Sequence, residues 1–134
     1  ENHRRLQGFF RQLNQFYLEN RSFYERDTSW KGFDWIHHDD YTNSVIAFKR
    51  TDADENEIIA VCNFRPILHE HYLIGVPKNA VYAEVFSSDR AEFGGSGVNN
   101  GSEIRPVPMK IHGCNQGLPL TLPPMSVIYL KCMG

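Results

Sequence analysis

The stretch Ser44-Val45-Ile46-Ala47-Phe48-Lys49-Arg50 is followed by the polar segment Thr51 to Asn56 and then by Glu57-Ile58-Ile59-Ala60-Val61-Cys62-Asn63. Two short runs rich in β-branched and aromatic residues, joined by turn formers, predict two strands of an antiparallel hairpin. The pattern recurs at Tyr72–Val76, Ala80–Ser87, Leu118–Leu122 and Ser126–Cys132, with a weaker run at Val107–Ile111. Strands this short and this closely spaced imply an all-β, antiparallel β-sandwich of Greek-key type. Pro77-Lys78-Asn79 reads as a tight turn, and Asp89 to Glu103 as a long glycine-rich surface loop. Pro106, Pro108, Pro119, Pro123 and Pro124 are expected at strand ends or edges, because each lacks a ladder donor.

Upstream of the strands the period changes. Leu6, Phe9, Phe10 and Leu13 fall at i, i+3, i+4 and i+7, with Phe16 and Tyr17 a turn further, which predicts an N-terminal α-helix. It has no clear N-cap, which fits a helix that begins further upstream. Ser22-Phe23-Tyr24-Glu25 has the form of a capping box and predicts a short helical turn. The acidic, aromatic stretch that follows reads as a loop-like connection. Residues 1–43 are thus expected to form a helix and connecting segment, and residues 44–134 a β-sandwich domain.

At 134 residues the chain fits one domain that buries roughly two-thirds of its unfolded surface. Hydrophobic residues make up 41% and charged residues 22%, the composition of an ordinary globular protein. The formal charge is -2 and the Lys and Arg are scattered, which argues against a nucleic-acid partner. Cys62, Cys114 and Cys132 are odd in number and widely spaced, so neither a disulfide framework nor a zinc site is indicated, and a reducing cytoplasm is the expected location. No apolar signal run or membrane-length span is present, so no membrane partner is expected.

The candidate chemistry is sparse. Asp39-Asp40, Asp52 with Asp54, Glu55 with Glu57, and Asp89 with Glu92 are the paired carboxylates, and all lie in polar, turn-like stretches where solvent is expected to keep them ordinary. Asp52-Ala53-Asp54-Glu55-Asn56 opens like a calcium loop, then places Glu57 where glycine is needed and Asn63 where a bidentate glutamate belongs. His69-Glu70-His71 offers two imidazoles on one strand face but no following glutamate, so ordinary exposed histidines are expected. His37-His38 is weaker, because successive side chains diverge. Gly94 to Gly101 lacks a Walker lysine and a following helix, and reads as a shaped loop rather than a phosphate cradle. Cys62, in an apolar run, is expected to be an inert thiol. No catalytic residue, metal or cofactor is therefore assigned.

Trp30 and Trp35 flank Gly32, with Phe33, Tyr41, Asp34, Asp39 and Asp40 nearby. An indole can meet the apolar face of a sugar ring while carboxylates accept its hydroxyl hydrogens, so Trp35, Trp30 and Asp34 are the candidate sugar-binding residues. Packing is the alternative role for both tryptophans, since a large wedge is useful where helix meets sheet.

A further series spans nearly the whole chain. Leu13-Asn14-Gln15-Phe16-Tyr17 and Gly32-Phe33-Asp34-Trp35-Ile36 lead into Asn63-Phe64-Arg65-Pro66 and Tyr72-Leu73-Ile74-Gly75-Val76-Pro77. Ser87-Ser88-Asp89, Phe93-Gly94-Gly95-Ser96-Gly97 and Leu120-Thr121-Leu122-Pro123-Pro124 follow. In order and spacing the series resembles the C-terminal β domain of bacterial-type 1,4-α-glucan branching enzymes, of the α-amylase superfamily. The departures are small: Ser87 stands where asparagine is usual, and Phe93 where tyrosine is common.

The resemblance implies a sandwich beside a (β/α)₈ barrel, with the Leu6 to Tyr17 helix as the barrel's last helix. The barrel's catalytic carboxylates are then expected upstream, so this stretch would be inactive alone. The intact enzyme would cut an α-1,4 linkage and make an α-1,6 branch. Expected partners are that barrel and α-glucan. The alternative is a free-standing carbohydrate-binding module with no enzymatic role.

Overall fold

Helical periodicity in the first residues produces α1, Asn2–Glu19, followed by a 3₁₀ turn at Arg21–Phe23. The computed structural model describes residues 2–24, 33–40 and 43–133, with Asn2, His38 and Asp39 by backbone only. The strands are β1 (Phe33–Asp40), β2 (Val45–Thr51), β3 (Glu57–Asn63), β4 (His69–Val76), β5 (Tyr82–Ser87), β6 (Val107–Ile111), β7 (Cys114–Leu122) and β8 (Ser126–Cys132). Every run expected to be a strand is one. Among the described residues no helix is long and apolar enough to cross a membrane.

The pairing is antiparallel throughout, in a five-stranded sheet ordered β1-β2-β3-β8-β5 and a three-stranded sheet ordered β4-β7-β6. The chain changes sheet between β3 and β4, β4 and β5, β5 and β6, and β7 and β8, which makes the sandwich of Greek-key type. Pro77-Lys78-Asn79 is therefore a crossing between layers and not a hairpin turn. Strand alternation sends Val45, Ala47, Ile59 and Val61 inward to meet Ile74, Leu118, Leu120 and Leu122 of the opposite layer. Each fully buried aliphatic side chain of this kind contributes about 1.5–3 kcal/mol.

The outer face of the five-stranded sheet is covered by α1 over β8 and β5. Phe16 is buried at 8% exposure, its ring 5.1 Å from Phe86, 5.3 Å from Tyr129 and 5.4 Å from Phe23. Phe9 meets Phe93 at 5.1 Å. The free edge of β5 is closed by the loop: Tyr82 N–H donates to Ile104 at 2.8 Å, Ile104 N–H returns to Tyr82 at 2.7 Å, and Glu84 N–H donates to Gly101 at 2.9 Å.

Three local expectations need correction. The stretch Phe33–Asp40, expected as a loop, is edge strand β1; its ladder with β2 breaks between Trp35 and His37 and again before Asp40, which hides the alternation. Ser22 does not cap a helix: it is buried inside the 3₁₀ turn, and its hydroxyl donates to the Asn56 carbonyl at 2.7 Å; Glu25 lies outside the described residues. Pro119 lies within β7, the central strand of its sheet, opposite Leu73. It is tolerated there because β6 pairing stops at Val107↔Gly117, which leaves that part of β7 with one ladder neighbour.

Candidate functional site

β1 and β2 place Trp35 directly across from Phe48, two residues from Phe33 on the same strand face. The indole is 52% exposed and meets Phe33 edge-on at 5.1 Å and Phe48 at 6.1 Å. Phe33 in turn stacks on Phe48 at 5.2 Å, with the Arg50 guanidinium 5.8 Å from the Phe33 centroid. The three rings form one aromatic platform on the outer face of the sheet edge. Trp35 is thus both packed along its edge and open to solvent, a combination that suits a sugar ring.

Asp34 is not part of this platform. As the next residue in the strand it points to the opposite face, where its carboxylate lies 3.9 Å from Lys49 Nζ. Trp30 and Tyr41 lie outside the described residues, and the Asp39 side chain is not described. Phe33 and Phe48, which the sequence reading did not assign, are the residues brought to Trp35. The signal for them was the i, i+2 spacing of Phe33 and Trp35, legible only once the stretch is known to be a strand.

At the far end of β1 lies a second cluster. Asp40 accepts hydrogen bonds from the Tyr72 hydroxyl, from Asn43 N–H at 3.1 Å and from Asn43 Nδ2 at 3.0 Å. Burial alone would raise its pKa, but these bonds, with His37 nearby, outweigh it and hold the carboxyl below its ordinary value. Burial, together with the same contact with Asp40, pushes the Tyr72 hydroxyl well up. The His37 and His112 rings stack at 4.0 Å, and His112 Nδ1 accepts the Gly75 N–H at 2.9 Å. A Cβ on Gly75 would lie 2.3 Å from the Ile111 carbonyl oxygen, so only glycine lets the β6–β7 hairpin press this closely on β4. These contacts bind the two sheets together at the β1 edge.

Of the remaining carboxylates, Asp54, Glu55 and Glu92 are exposed as expected, whereas Asp52, Asp89 and Glu57 are not simply solvated. Asp52 is buried and accepts Asp54 N–H at 2.9 Å, Asn56 N–H at 2.9 Å and Asn56 Nδ2 at 3.0 Å, closing the β2–β3 turn. Its burial opposes ionisation, yet these bonds and Arg21 hold its pKa down. Asp89 is also buried, and accepts Ser96 N–H at 3.1 Å, Ser96 Oγ at 2.7 Å and Val98 N–H at 3.0 Å, so the glycine-rich loop is folded around it. Glu57 is half-buried, with one oxygen 3.4 Å from Lys49. Carboxylates fixed by backbone donors or a lysine are structural ties, ill suited to passing protons to a substrate.

His69 and His71 are not alike. His71 takes φ 54 and the β4 ladder shifts between His69 and Tyr72, so the strand alternation that would align two imidazoles is broken. His71 is exposed, whereas His69 is half-buried. Among the described residues no group of three or more His, Cys, Asp or Glu is placed to hold a metal ion. Cys62 is half-buried, and desolvation pushes its thiol up to about 11.

Residues 35–133 match the family model described as alpha amylase, C-terminal all-beta domain. A 1,4-alpha-glucan branching enzyme GlgB of Aquifex aeolicus is 42% identical over 98% of this chain and 21% of its own length. That of Francisella philomiragia is 41% identical over 96% of this chain and 20% of its own. The crystal structure of alpha-amylase from H. orenii shares the fold, with a TM-score of 0.54 at 23% identity, covering 92% of this chain and 19% of that one. The chain spans about one fifth of the length of the curated relatives it matches.

Proposed function

This chain belongs to the family of α-amylase C-terminal all-β domains, and from that premise we propose that it serves as the C-terminal domain of a 1,4-α-glucan branching enzyme. The observation that carries the reading is identity of about 40% to branching enzymes along almost the whole chain. In this reading α1 and the residues that follow it leave the catalytic barrel, and the sandwich beside it begins with edge strand β1 rather than at residue 44. The parent enzyme works in the cytoplasm, cleaving an α-1,4 glucan bond and transferring the chain to a glucose O6. Such retaining chemistry needs two carboxyl groups about 5–5.5 Å apart on a rigid frame. The carboxylates described above are tied to the backbone or to Lys49 instead, which supports a non-catalytic role for this domain.

The domain's own contribution is to stabilise the barrel and to hold glucan on Trp35, with Phe33 and Phe48 as the base of the platform. Trp30 and Asp34 remain proposed contributors; Asp34 would have to reach sugar from around the sheet edge. The exposed platform alone favours the second reading, a free-standing carbohydrate-binding module. One experiment separates them. The last fifth of the Aquifex aeolicus enzyme is replaced by this chain, and branching of amylose is followed by iodine absorbance. Activity near that of the parent is expected; a folded chimera without branching, beside a free chain that binds maltoheptaose, would favour the module.

A further inference from the structure

We propose that Asn100 is a self-modifying site that the fold keeps shut. When residues 99–104 leave the sheet, the Gly101 backbone nitrogen displaces the Asn100 side-chain nitrogen as ammonia, and the acid left behind keeps the segment from closing again. Asn100 is the one asparagine in the sequence that precedes glycine. Glycine leaves its backbone nitrogen unhindered, so this pair is the most readily deamidated, and asparagine is thermolabile for that reason. The fold demands both residues. Gly101 takes φ 84, which disfavours any residue with a side chain. Asn100 has to donate and accept together, because it bridges the two layers. Its Nδ2 donates to Glu84 Oε1 of β5 and to the Thr121 carbonyl of β7, each at 2.9 Å, and its Oδ1 accepts the Thr121 N–H at 2.7 Å.

The reaction balances with water alone. The Gly101 nitrogen bonds to Asn100 Cγ, the Cγ–Nδ2 bond breaks, and Nδ2 leaves as ammonia with the proton from the Gly101 nitrogen. Water then opens the cyclic imide at either carbonyl, giving aspartate or isoaspartate. In the folded chain both reactants are engaged elsewhere. Gly101 N–H donates to Asn99 Oδ1 at 2.6 Å, and the Gly101 carbonyl accepts the Glu84 N–H at 2.9 Å. Ring closure turns the Asn100 side chain back onto its own backbone and gives up its bonds to Glu84 and Thr121.

An acid at position 100 cannot remake the bridge. Ionised, it only accepts, so Glu84 Oε1 and the Thr121 carbonyl lose their donor and two carboxylates come face to face. Glu84 is half-buried, and burial already holds its carboxyl above the ordinary value. Isoaspartate also lengthens the backbone before Gly101, which displaces the carbonyl that receives the Glu84 N–H. The edge of β5 is then left open.

The test follows the amide directly. The chain is held at neutral pH, either folded by circular dichroism or unfolded in guanidinium chloride, and the tryptic peptide Ala91–Lys110 is weighed for exchange of amide for acid. Asn100 is expected to react at least about tenfold more slowly in the folded chain, where the free energy of opening sets the rate. Equal rates overturn the inference, as does an unfolded chain in which Asn99 reacts and Asn100 does not. Gly101→Ala should slow the reaction of the unfolded chain severalfold; an unchanged rate would assign the loss to direct hydrolysis and overturn the ring closure. Asn100→Asp supplies the product at the same side-chain size. In it the amides of Tyr82, Glu84 and Ile104 should exchange about tenfold faster than in the parent, while those of Ile59 and Val61 stay protected. Unchanged exchange at all of the first three would show that the acid is accommodated and overturn the failure to close.

Discussion

Trp35 shows how much one position depends on its strand. Its neighbour Asp34 is adjacent in sequence and on the other face of the sheet, while Phe48 is remote in sequence and in ring contact. Replacing Trp35 with alanine should abolish retardation of the chain in glycogen-containing native gels, while the circular dichroism spectrum stays unchanged. A variant that unfolds would assign the indole to packing. Cys62 gives a second residue-scale prediction. With its thiol raised from 9.0 to about 11, its thiolate fraction at neutral pH falls on the order of a hundredfold, and iodoacetamide should modify it correspondingly more slowly than in the urea-unfolded chain. Modification at the unfolded rate would show that the site opens readily. The burial that raises the Cys62 thiol was legible in its apolar neighbours; the platform under Trp35 was not, because Phe48 belongs to the next strand.

Elements with dense apolar runs were legible to their ends: β3 and β8 run from Glu57 to Asn63 and from Ser126 to Cys132, the residues their patterns predict. β1 was hidden because its polar second half, His37 to Asp40, forms a sheet rim broken by bulges. Asp52 was misjudged for a different reason. Asp52 is polar among polar residues, and only the folded turn reveals that Asp54, Asn56 and Arg21 converge on it. Asp52→Ala leaves buried backbone donors unsatisfied and should cost about 2–3 kcal/mol in urea unfolding. Because the folded pKa of Asp52 is depressed, its contribution is present above the unfolded value of about 3.9 and lost as pH falls through the folded value. The stability gap between the parent and Asp52→Asn should therefore narrow below about pH 4, and a gap independent of pH would exclude this linkage. Gly95→Ala should disrupt the neighbouring loop, since its Cβ would fall 2.1 Å from the Asp89 carbonyl oxygen. The loss is expected to exceed about 2 kcal/mol, and an unchanged urea midpoint would refute it.

For the whole molecule, the central expectation is the absence of turnover. Incubated with amylose, the isolated chain should change neither iodine absorbance nor reducing ends; activity that survives removal of host enzymes would contradict the assignment of catalysis to another part of the polypeptide. The sandwich was legible because many short strands admit few other architectures. Sheet order carries one more consequence. β8 is the last of the described strands and yet lies between β3 and β5, with Val61 opposite Ile128 and Glu84 opposite Leu130. Until it docks, the β1-β2-β3 meander and β5 are separate pieces with unpaired edges. Folding then waits on a contact between distant parts of the chain, the regime in which assembly is slow and exposed edges invite aggregation. A truncation before Ser126 would leave a three-stranded meander and the lone strand β5 rather than a domain trimmed at its margin.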